Sequence, residues 1–254
     1  MKLQSLLYLG TKEIGSVLFK YLLENHHNKT IDIVGVCSNN RSLGTDFKSV
    51  NELALIYGIR VFKNVNELLD TTSVDFILSV QFDKILKQSQ IDKAKNLAIN
   101  VHIAPLPEYR GCNQFSFAIA DGVNEFGTTI HKLEKGIDSG DIIFESRFAI
   151  PENCFVKELY NLAFNETVEL FKNKFINIIQ GNYNLIPQNK FSDKRASSIH
   201  YREEINKLKI IDNKWDKEEQ KKIFRATFFP PFPNPILKKG DSFNEVDLNW
   251  YNSL

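Results

Sequence analysis

The chain has 254 residues, of which 43% are hydrophobic and 25% are charged, a balance typical of soluble globular proteins. Its formal net charge is +1, which disfavours a broad surface for polyanions such as nucleic acids. No apolar stretch reaches the roughly 18–20 residues that a membrane helix needs, and the N-terminus does not resemble a signal peptide. The three widely spaced cysteines favour a reduced protein over a disulfide framework or a zinc site. We therefore expect a cytoplasmic protein with no metal, no membrane contact and no nucleic-acid partner.

The first hundred residues alternate between apolar strand patterns and amphipathic helix patterns. The predicted strands are residues 3–10, 30–39, 60–63, 73–82 and 97–103. The predicted helices are residues 11–25, 49–58, a segment from near Val65, and residues 84–95. Such alternation predicts βαβ units, and therefore an α/β fold with a mostly parallel, Rossmann-like sheet. Ligands of such sheets bind beyond the carboxyl ends of the strands.

The second half of the chain continues with longer elements and then changes in character. Residues 113–122 and 154–181 have helical periodicity, whereas residues 126–133 read as a strand and residues 135–150 as a glycine-rich loop followed by a strand. From Pro187 onward the chain is polar, with 13 Lys and Arg against 10 Asp and Glu. There, Asp216 and Glu219 resemble a capping box that opens a last helix. We expect one domain over residues 1–187 and a short C-terminal appendage over residues 188–254.

The turn after the first strand invites comparison with a dinucleotide-binding loop. Gly10 and Gly15 are present, but Lys12 stands where a second glycine would let a pyrophosphate approach the backbone. The spacing therefore favours an ordinary strand-to-helix turn over a dinucleotide site.

Residues suited to proton transfer occur at two places in the sequence. Asn100 and His102 lie on the same face at the end of a strand. Asp138 lies in a tight loop between Gly136 and Gly140. Taken singly, a capped strand end and a turn aspartate explain these residues equally well or better. Together they supply an imidazole base, a carboxylate to orient it and an amide that can donate to an oxyanion. Because no serine or cysteine lies in the context of a nucleophile, this set favours direct transfer between two bound substrates.

The two motifs also carry a family resemblance. "INVHIAPLPEYRG" followed by "FGTTIHKLEKGIDSGDI" closely resembles the 10-formyltetrahydrofolate-dependent formyltransferases, and the resemblance extends over residues 3–181. It implies a catalytic domain that uses 10-formyltetrahydrofolate as co-substrate. It also implies that His102 is the base for the attacking amine, that Asn100 holds the formyl oxygen and that Asp138 supports the imidazole. We interpret His131 as a structural histidine near this set.

Within the family, residues 79–86, 104–119 and 224–233 look like the sugar N-formyltransferases. This branch formylates nucleotide-linked amino sugars, and the resemblance implies a dTDP-linked substrate for cell-surface polysaccharide such as lipopolysaccharide O-antigen. Phe82 departs from the tyrosine expected in this branch. Methionyl-tRNA and glycinamide ribonucleotide formyltransferases remain alternatives. A non-catalytic sugar-nucleotide-binding protein on the same fold is an alternative of another class.

The resemblance also suggests binding residues. For the folate these are Gln81, Phe82, Ile85, Leu86 and Asp138. For the sugar nucleotide they are Arg110, Asn113, Gln114, Arg225, Phe228 and Phe229. We expect the appendage to support a homodimer and to close the nucleotide site. For its phenylalanine and proline cluster, packing against its own domain or across a dimer is favoured over contact with the ligand.

Overall fold

The computed structural model describes residues 3–39, 47–67 and 73–254. The helix predicted from near Val65 falls partly on residues 68–72, outside the described residues.

A seven-stranded sheet forms the centre of the described chain, with the strand order β3-β2-β1-β4-β5-β7-β8. Its strands are β1 Gln4–Gly10, β2 Ile31–Cys37, β3 Val61–Phe62, β4 Val74–Val80, β5 Ala94–His102, β7 Glu125–Lys132 and β8 Ile142–Ala149. The pairs β1–β2, β1–β4, β2–β3 and β4–β5 are parallel, whereas β7 runs antiparallel to β5. The predicted α/β class with a mostly parallel sheet is therefore confirmed.

Five of the predicted helices are present, those over residues 11–25, 49–58, 113–122, 154–181 and from Asp216, and the described residues also form short helices that were not predicted. The helices are α1 Lys12–Asn25, α2 Val50–Ile56, α3 Gln88–Ile91, α4 Gln114–Ala120, α5 Val156–Ile179, α6 Ile205–Leu208, α7 Lys217–Thr227 and α8 Leu248–Ser253. Asp216 caps α7 by accepting a hydrogen bond from the Glu219 backbone N–H at 2.8 Å. Helix α5 ends before Gly181, whose φ of +74° suits a residue without Cβ.

The prediction of a helix over residues 84–95 is wrong in length. Only Gln88–Ile91 is helical, and Ala94 already begins β5. The reason is sheet pairing: the Val74 N–H donates to the Lys93 carbonyl at 3.0 Å, and Val74 pairs with Ala94. Hydrogen bonding to β4 thus takes up residues whose local propensity favours a helix.

The chain forms two compact units. The first comprises Met1–Ile103, Thr128–Glu145 and Thr167–Lys190, and the second comprises Ala104–Gly127, Ser146–Glu166 and Phe191–Leu254. The second unit thus combines the chain from Phe191 with two segments that come before residue 187. The functional division into a catalytic domain and an appendage stays a prediction.

The second unit has an aromatic and aliphatic core of its own. Ile211, Ile223, Phe224 and Val246 are buried together, and Ala120 and Phe155 pack against them. A small sheet of β10 Ile210–Asp212, β11 Ile236–Lys239 and β12 Ser242–Glu245 belongs to this unit, as do the paired strands β6 Arg110–Gly111 and β9 Ile199–His200. The C-terminal segment therefore shares a core with earlier parts of the chain.

A search of the helices among the described residues finds none with the length and hydropathy required to cross a membrane.

Candidate active site

The carboxyl end of β5 carries the first two candidate residues. Asn100 and His102 lie two positions apart on β5 and therefore share a face of the sheet. In the antiparallel pair with β7, Asn100 lies opposite His131 and His102 lies opposite Thr129. The strand end predicted from the sequence thus forms one side of a polar cluster.

His102 is held by a buried chain of hydroxyl groups. Thr167 donates to the Thr128 hydroxyl at 2.8 Å, and Thr128 donates to the His102 carbonyl at 3.0 Å. The imidazole is 3% exposed, and its Nδ1 lies 3.6 Å from Asp138 Oδ2. A carboxylate beside Nδ1 favours the tautomer with the proton on Nδ1, so Nε2 becomes the basic nitrogen.

The loop that carries Asp138 depends on close backbone contacts. A Cβ added at Gly140 would lie 1.9 Å from the Lys132 carbonyl oxygen, so only glycine fits there. The Lys132 N–H donates to the Asp141 carbonyl at 2.9 Å. Asp138 itself has a φ of +45°, in the left-handed region that non-glycine residues rarely adopt. These contacts set the position of its carboxylate.

The carboxylate of Asp138 meets three side chains. Besides the contact of Oδ2 with His102, Oδ1 accepts from Asn100 Nδ2 at 3.3 Å and lies 3.4 Å from His131 Nε2. The structure thus brings Asn100, His102 and Asp138 together, while their catalytic roles stay predictions.

His131 completes this cluster from the neighbouring strand. It is 1% exposed, its Nδ1 lies 2.9 Å from the Lys132 carbonyl oxygen, and its Nε2 lies 3.2 Å from Asn100 Nδ2. The Lys132 carbonyl accepts a hydrogen bond from Nδ1, which leaves Nε2 to accept from the Asn100 amide. His131 therefore contacts the Asn100 amide directly, while its interpretation as a structural histidine stays a prediction.

A cavity of about 400 Å³ lies along β5 in the first unit. Its lining includes Ile91, Ala98, Leu133, Glu134 and Lys135. Ala98 is two positions from Asn100 on the same strand, and Lys135 is three residues before Asp138. The cavity is therefore lined by the strand and the loop that also carry members of the polar cluster, and it combines apolar walls with charged groups. A hydrogen bond to Glu134 raises the pKa of Lys132, whose side chain also lines this cavity.

Four of the five residues predicted to bind folate, Gln81, Phe82, Ile85 and Leu86, come shortly before Gln88, the first residue in the sequence that lines this cavity. Phe82 and Leu86 pack in the same apolar cluster as Ile91 and Ala98, and so support the cavity wall. Ile85 is 74% exposed, and Gln81 accepts a hydrogen bond from Lys12 Nζ at 2.9 Å. The cavity residues Ile91, Ala98 and Leu133 were missed from the sequence because an apolar lining residue and a core residue have the same pattern.

Every residue predicted to bind the sugar nucleotide belongs to the second unit. Arg110 Nη2 donates to Ser197 Oγ at 2.9 Å, and the Asn113 side chain donates to the carbonyls of Tyr201 and Arg202. Gln114 is buried as the first residue of α4.

The aromatic and arginine residues of the C-terminal segment lie around α7. Phe228 stacks on Phe224 with ring centroids 4.9 Å apart, and Phe229 contacts Tyr160. Arg225 Nη1 lies 3.4 Å from the Tyr251 hydroxyl. These contacts agree with packing of the phenylalanines within their own unit, and binding of a nucleotide by them stays a prediction.

No group of three or more His, Cys, Asp or Glu side chains suited to a metal ion occurs among residues 3–39, 47–67 and 73–254. The polar cluster described above holds a single carboxylate beside two imidazoles and an amide, which suits proton transfer.

Comparisons with known proteins identify the family. The chain matches the formyl transferase family over residues 9–173. The GDP-perosamine N-formyltransferase of Brucella melitensis is 25% identical over 181 residues, which cover 71% of this chain and 67% of that protein. The methionyl-tRNA formyltransferase of Kosmotoga olearia is 30% identical in an alignment of 253 positions, which covers 93% of this chain and 76% of that protein.

Solved structures give a similar result. An N-formyltransferase from Helicobacter canadensis, in complex with folinic acid and dTDP-3-aminofucose, matches with a TM-score of 0.75 and 27% identity over 90% of this chain and 81% of that chain. WlaRD, a sugar 3N-formyl transferase studied in the presence of dTDP and 5-N-formyl-THF, matches with a TM-score of 0.78 and 26% identity over 93% of this chain and 83% of that chain. The chain therefore belongs to the formyl transferase family, as its two sequence motifs predicted.

Proposed function

We propose that this protein transfers a formyl group from 10-formyltetrahydrofolate to the amino group of a nucleotide-linked amino sugar. The observation that carries the proposal is the cluster of Asn100, His102 and Asp138 at the end of β5. In a member of the formyl transferase family, such a cluster offers the base, the oxyanion donor and the carboxylate that amine formylation requires.

The proposed reaction uses each member of the cluster. His102 Nε2 takes a proton from the substrate amine as the new C–N bond forms to the formyl carbon. Asn100 Nδ2 donates to the formyl oxygen as negative charge develops there, exchanging one of its present acceptors, Asp138 Oδ1 or His131 Nε2. The imidazolium then gives its proton to the departing folate nitrogen as that C–N bond breaks. Asp138 stabilises the imidazolium between these steps.

The cavity is the proposed place for the pteridine ring of the folate. Its apolar residues Ile91, Ala98 and Leu133 suit the faces of a flat heterocycle, and the charged side chains at its edge suit the polar ring atoms. In this arrangement Phe82 and Leu86 act from behind the cavity wall, and Asp138 lies on the side of the transferred group.

Arg110 and Arg225 are proposed to bind the nucleotide part of the amino sugar. Arg110 and Arg225 each have a buried Nε with no hydrogen-bond partner among the described residues, which leaves donor capacity for an anion such as a diphosphate. A dTDP-linked sugar is the first candidate because the Helicobacter canadensis protein was solved with dTDP-3-aminofucose. The Brucella relative acts on a GDP-linked sugar, so the nucleotide is part of the test.

Methionyl-tRNA is the second candidate substrate, because a methionyl-tRNA formyltransferase is 30% identical across 93% of this chain. The segment from Pro187 onward has a charge surplus of only three, from 13 basic minus 10 acidic residues. Strong binding to a nucleic-acid backbone usually draws on more basic groups than that. The sugar nucleotide is therefore preferred.

The test is release of tetrahydrofolate from 10-formyltetrahydrofolate, followed by ultraviolet absorbance. Four acceptors are compared: dTDP-3-aminofucose, GDP-perosamine, glycinamide ribonucleotide and methionyl-tRNA. Turnover with either sugar nucleotide and with neither other acceptor is the expected result. Turnover with methionyl-tRNA alone contradicts the proposal, and binding of sugar nucleotide without turnover supports the non-catalytic alternative.

The setting of this reaction is also proposed. We expect a cytoplasmic homodimer that supplies formylated sugars for cell-surface polysaccharide, with the appendage over residues 188–254 contributing to the dimer. Light scattering on the full chain at two concentrations tests the assembly, and a monomeric mass at both would contradict it.

A further inference from the structure

The side chain of Gln188 reaches the loop that carries Asp138. Its Nε2 donates to the Asp138 carbonyl at 2.8 Å and to the Gly140 carbonyl at 2.8 Å. Both hydrogens of the amide are thus used on carbonyls two residues apart. Gln188 lies 50 positions from Asp138 in the sequence and beyond the residues matched to the family, 9–173.

A backbone bridge sets the place of this glutamine. Ile186 and Ile142 exchange two hydrogen bonds of 2.9 Å, which join the segment before Gln188 to the start of β8. The short helix Gln188–Phe191 begins at the glutamine itself. The backbone on both sides of Gln188 is therefore held by hydrogen bonds, so its side chain can anchor the Asp138 loop.

The loop has reason to need such an anchor. Asp138 adopts a left-handed φ of +45°, and its carboxylate must meet His102, Asn100 and His131 at the same time. A residue with a Cβ holds this backbone only when surrounding contacts determine it. Donation to the carbonyls of Asp138 and Gly140 favours the conformation that directs the carboxylate into the cluster.

We propose that Gln188 is a positioning residue of the formyl-transfer site, acting through the Asp138 loop without touching substrate. The inference rests on the proposed role of Asp138. A misplacement of about 1 Å in a catalytic group can lower the rate by about 10²-fold. Loss of the Gln188 donors should therefore lower kcat by about 10- to 100-fold and leave KM for the amino sugar nearly unchanged.

Two variants of Gln188 distinguish the effect of its hydrogen-bond donors from the effect of its side-chain volume. Gln188→Met keeps the length of the side chain and removes both donors. Gln188→Glu places a carboxylate against two carbonyl oxygens and should be slower than Gln188→Met at neutral pH. The matched control is Gln180→Met, because Gln180 is exposed and its amide contacts only the exposed Asn182 among the hydrogen bonds described. Melting temperatures of the variants identify any general loss of stability.

A double-mutant cycle with Asp138→Asn provides the decisive kinetic measurement. If Gln188 acts through Asp138, Gln188→Met should cost much less in the Asp138→Asn background than in the wild type. Equal costs in both backgrounds, or a kcat of Gln188→Met equal to that of the control, would overturn the inference. If Asp138→Asn alone keeps full activity with dTDP-3-aminofucose or GDP-perosamine, the proposed function of the cluster fails first.

Hydrogen exchange gives a readout that needs no substrate. Peptides spanning residues 133–142 should exchange about tenfold faster in Gln188→Met, because two hydrogen bonds to this loop are lost. Peptides from β1 should be unchanged. Unchanged exchange in the loop would show that Gln188 does not hold it, whatever the activity of the protein.

Discussion

His131 lies opposite Asn100 across the antiparallel pair of β7 and β5, and the Asn100 amide nitrogen lies 3.2 Å from His131 Nε2. Because the Lys132 carbonyl holds the proton of His131 on Nδ1, the ring offers a lone pair to the amide. Both His131 Nε2 and Asp138 Oδ1 lie within hydrogen-bond distance of the amide nitrogen, so both favour the nitrogen over the amide oxygen on this side. The donor needed for an oxyanion is thus oriented by a residue from the neighbouring strand.

Replacing His131 tests this orientation. In His131→Phe the ring volume remains but the acceptor is lost, so the amide of Asn100 can rotate. We expect kcat to fall by about 10- to 100-fold with little change in KM. His26→Phe is the control, since His26 is buried in the same unit and contacts Tyr21 and Thr30 instead. A His131→Phe variant with full kcat would reduce His131 to a packing residue.

His102→Asn should remove the general base. General-base catalysis is worth roughly 10²–10⁴-fold, so the rate should fall by that factor while calorimetry finds sugar-nucleotide binding nearly unchanged. The half-buried His27 provides a control substitution, His27→Asn. If the His102 variant keeps more than about a tenth of the wild-type rate, His102 is not the base, and His131 becomes the better candidate.

Asp138→Asn should slow the reaction without unfolding the protein, because an amide can hold the ring but cannot stabilise an imidazolium. We expect a loss on the order of 10²-fold in kcat. The rate and the pH–rate profile of the variant are measured together. Asp141→Asn removes a charge from the same loop and is the control. An unaltered rate and profile in Asp138→Asn would make Asp138 a turn residue only.

The Asp138 loop should not tolerate a side chain at Gly140. The added Cβ of Gly140→Ala would lie 1.9 Å from the Lys132 carbonyl oxygen, so the backbone must move. We expect a loss of about 1–3 kcal/mol in the free energy of unfolding, together with a loss of activity. Gly122→Ala is the comparison: its φ is +68° and a Cβ would meet nothing within 4 Å, so only backbone strain of about 1–2 kcal/mol is added. Urea denaturation measures both, and full activity in Gly140→Ala would contradict the proposed loop geometry.

The C-terminal segment should be integral to the core of the second unit. Phe224 is 0% exposed and contacts Phe155, Phe228, Trp250 and Tyr251. Phe224→Ala should lower the free energy of unfolding by about 3–5 kcal/mol. Phe243→Ala, at a residue that is 57% exposed, should change it by less than about 0.5 kcal/mol. Equal effects in thermal or urea unfolding would show that the segment does not share this core.

The same contacts bear on deletion of the chain from Asp216 onward. Such a deletion removes Phe224 and would uncover Phe155 and Ala120 in the same unit. The sequence predicts that the truncated protein binds sugar nucleotide more weakly and has a lower mass in solution. Circular dichroism must first show that the truncated protein is folded, and unchanged mass and affinity in a folded truncation would contradict the role of the appendage.

The local sequence pattern was sufficient to predict the strand end, the Asp138 loop and the parallel sheet. Period-two alternation placed Asn100 and His102 on one face at the end of β5, and glycines on both sides of Asp138 marked a tight loop. The alternation of strands and helices predicted the parallel sheet. These features depend on residues a few positions apart, because the spacing of apolar side chains and the turn residues act over that short range.

The tertiary structure decided what depends on distant pairing. β7 lies antiparallel beside β5, which sets His131 against Asn100, and pairing with β4 shortens the helix before β5 to Gln88–Ile91. The amide of Gln188 meets the Asp138 loop from 50 positions away. Strand order and the register of hydrogen bonds arise from contacts between remote segments, so no local period in the sequence encodes them.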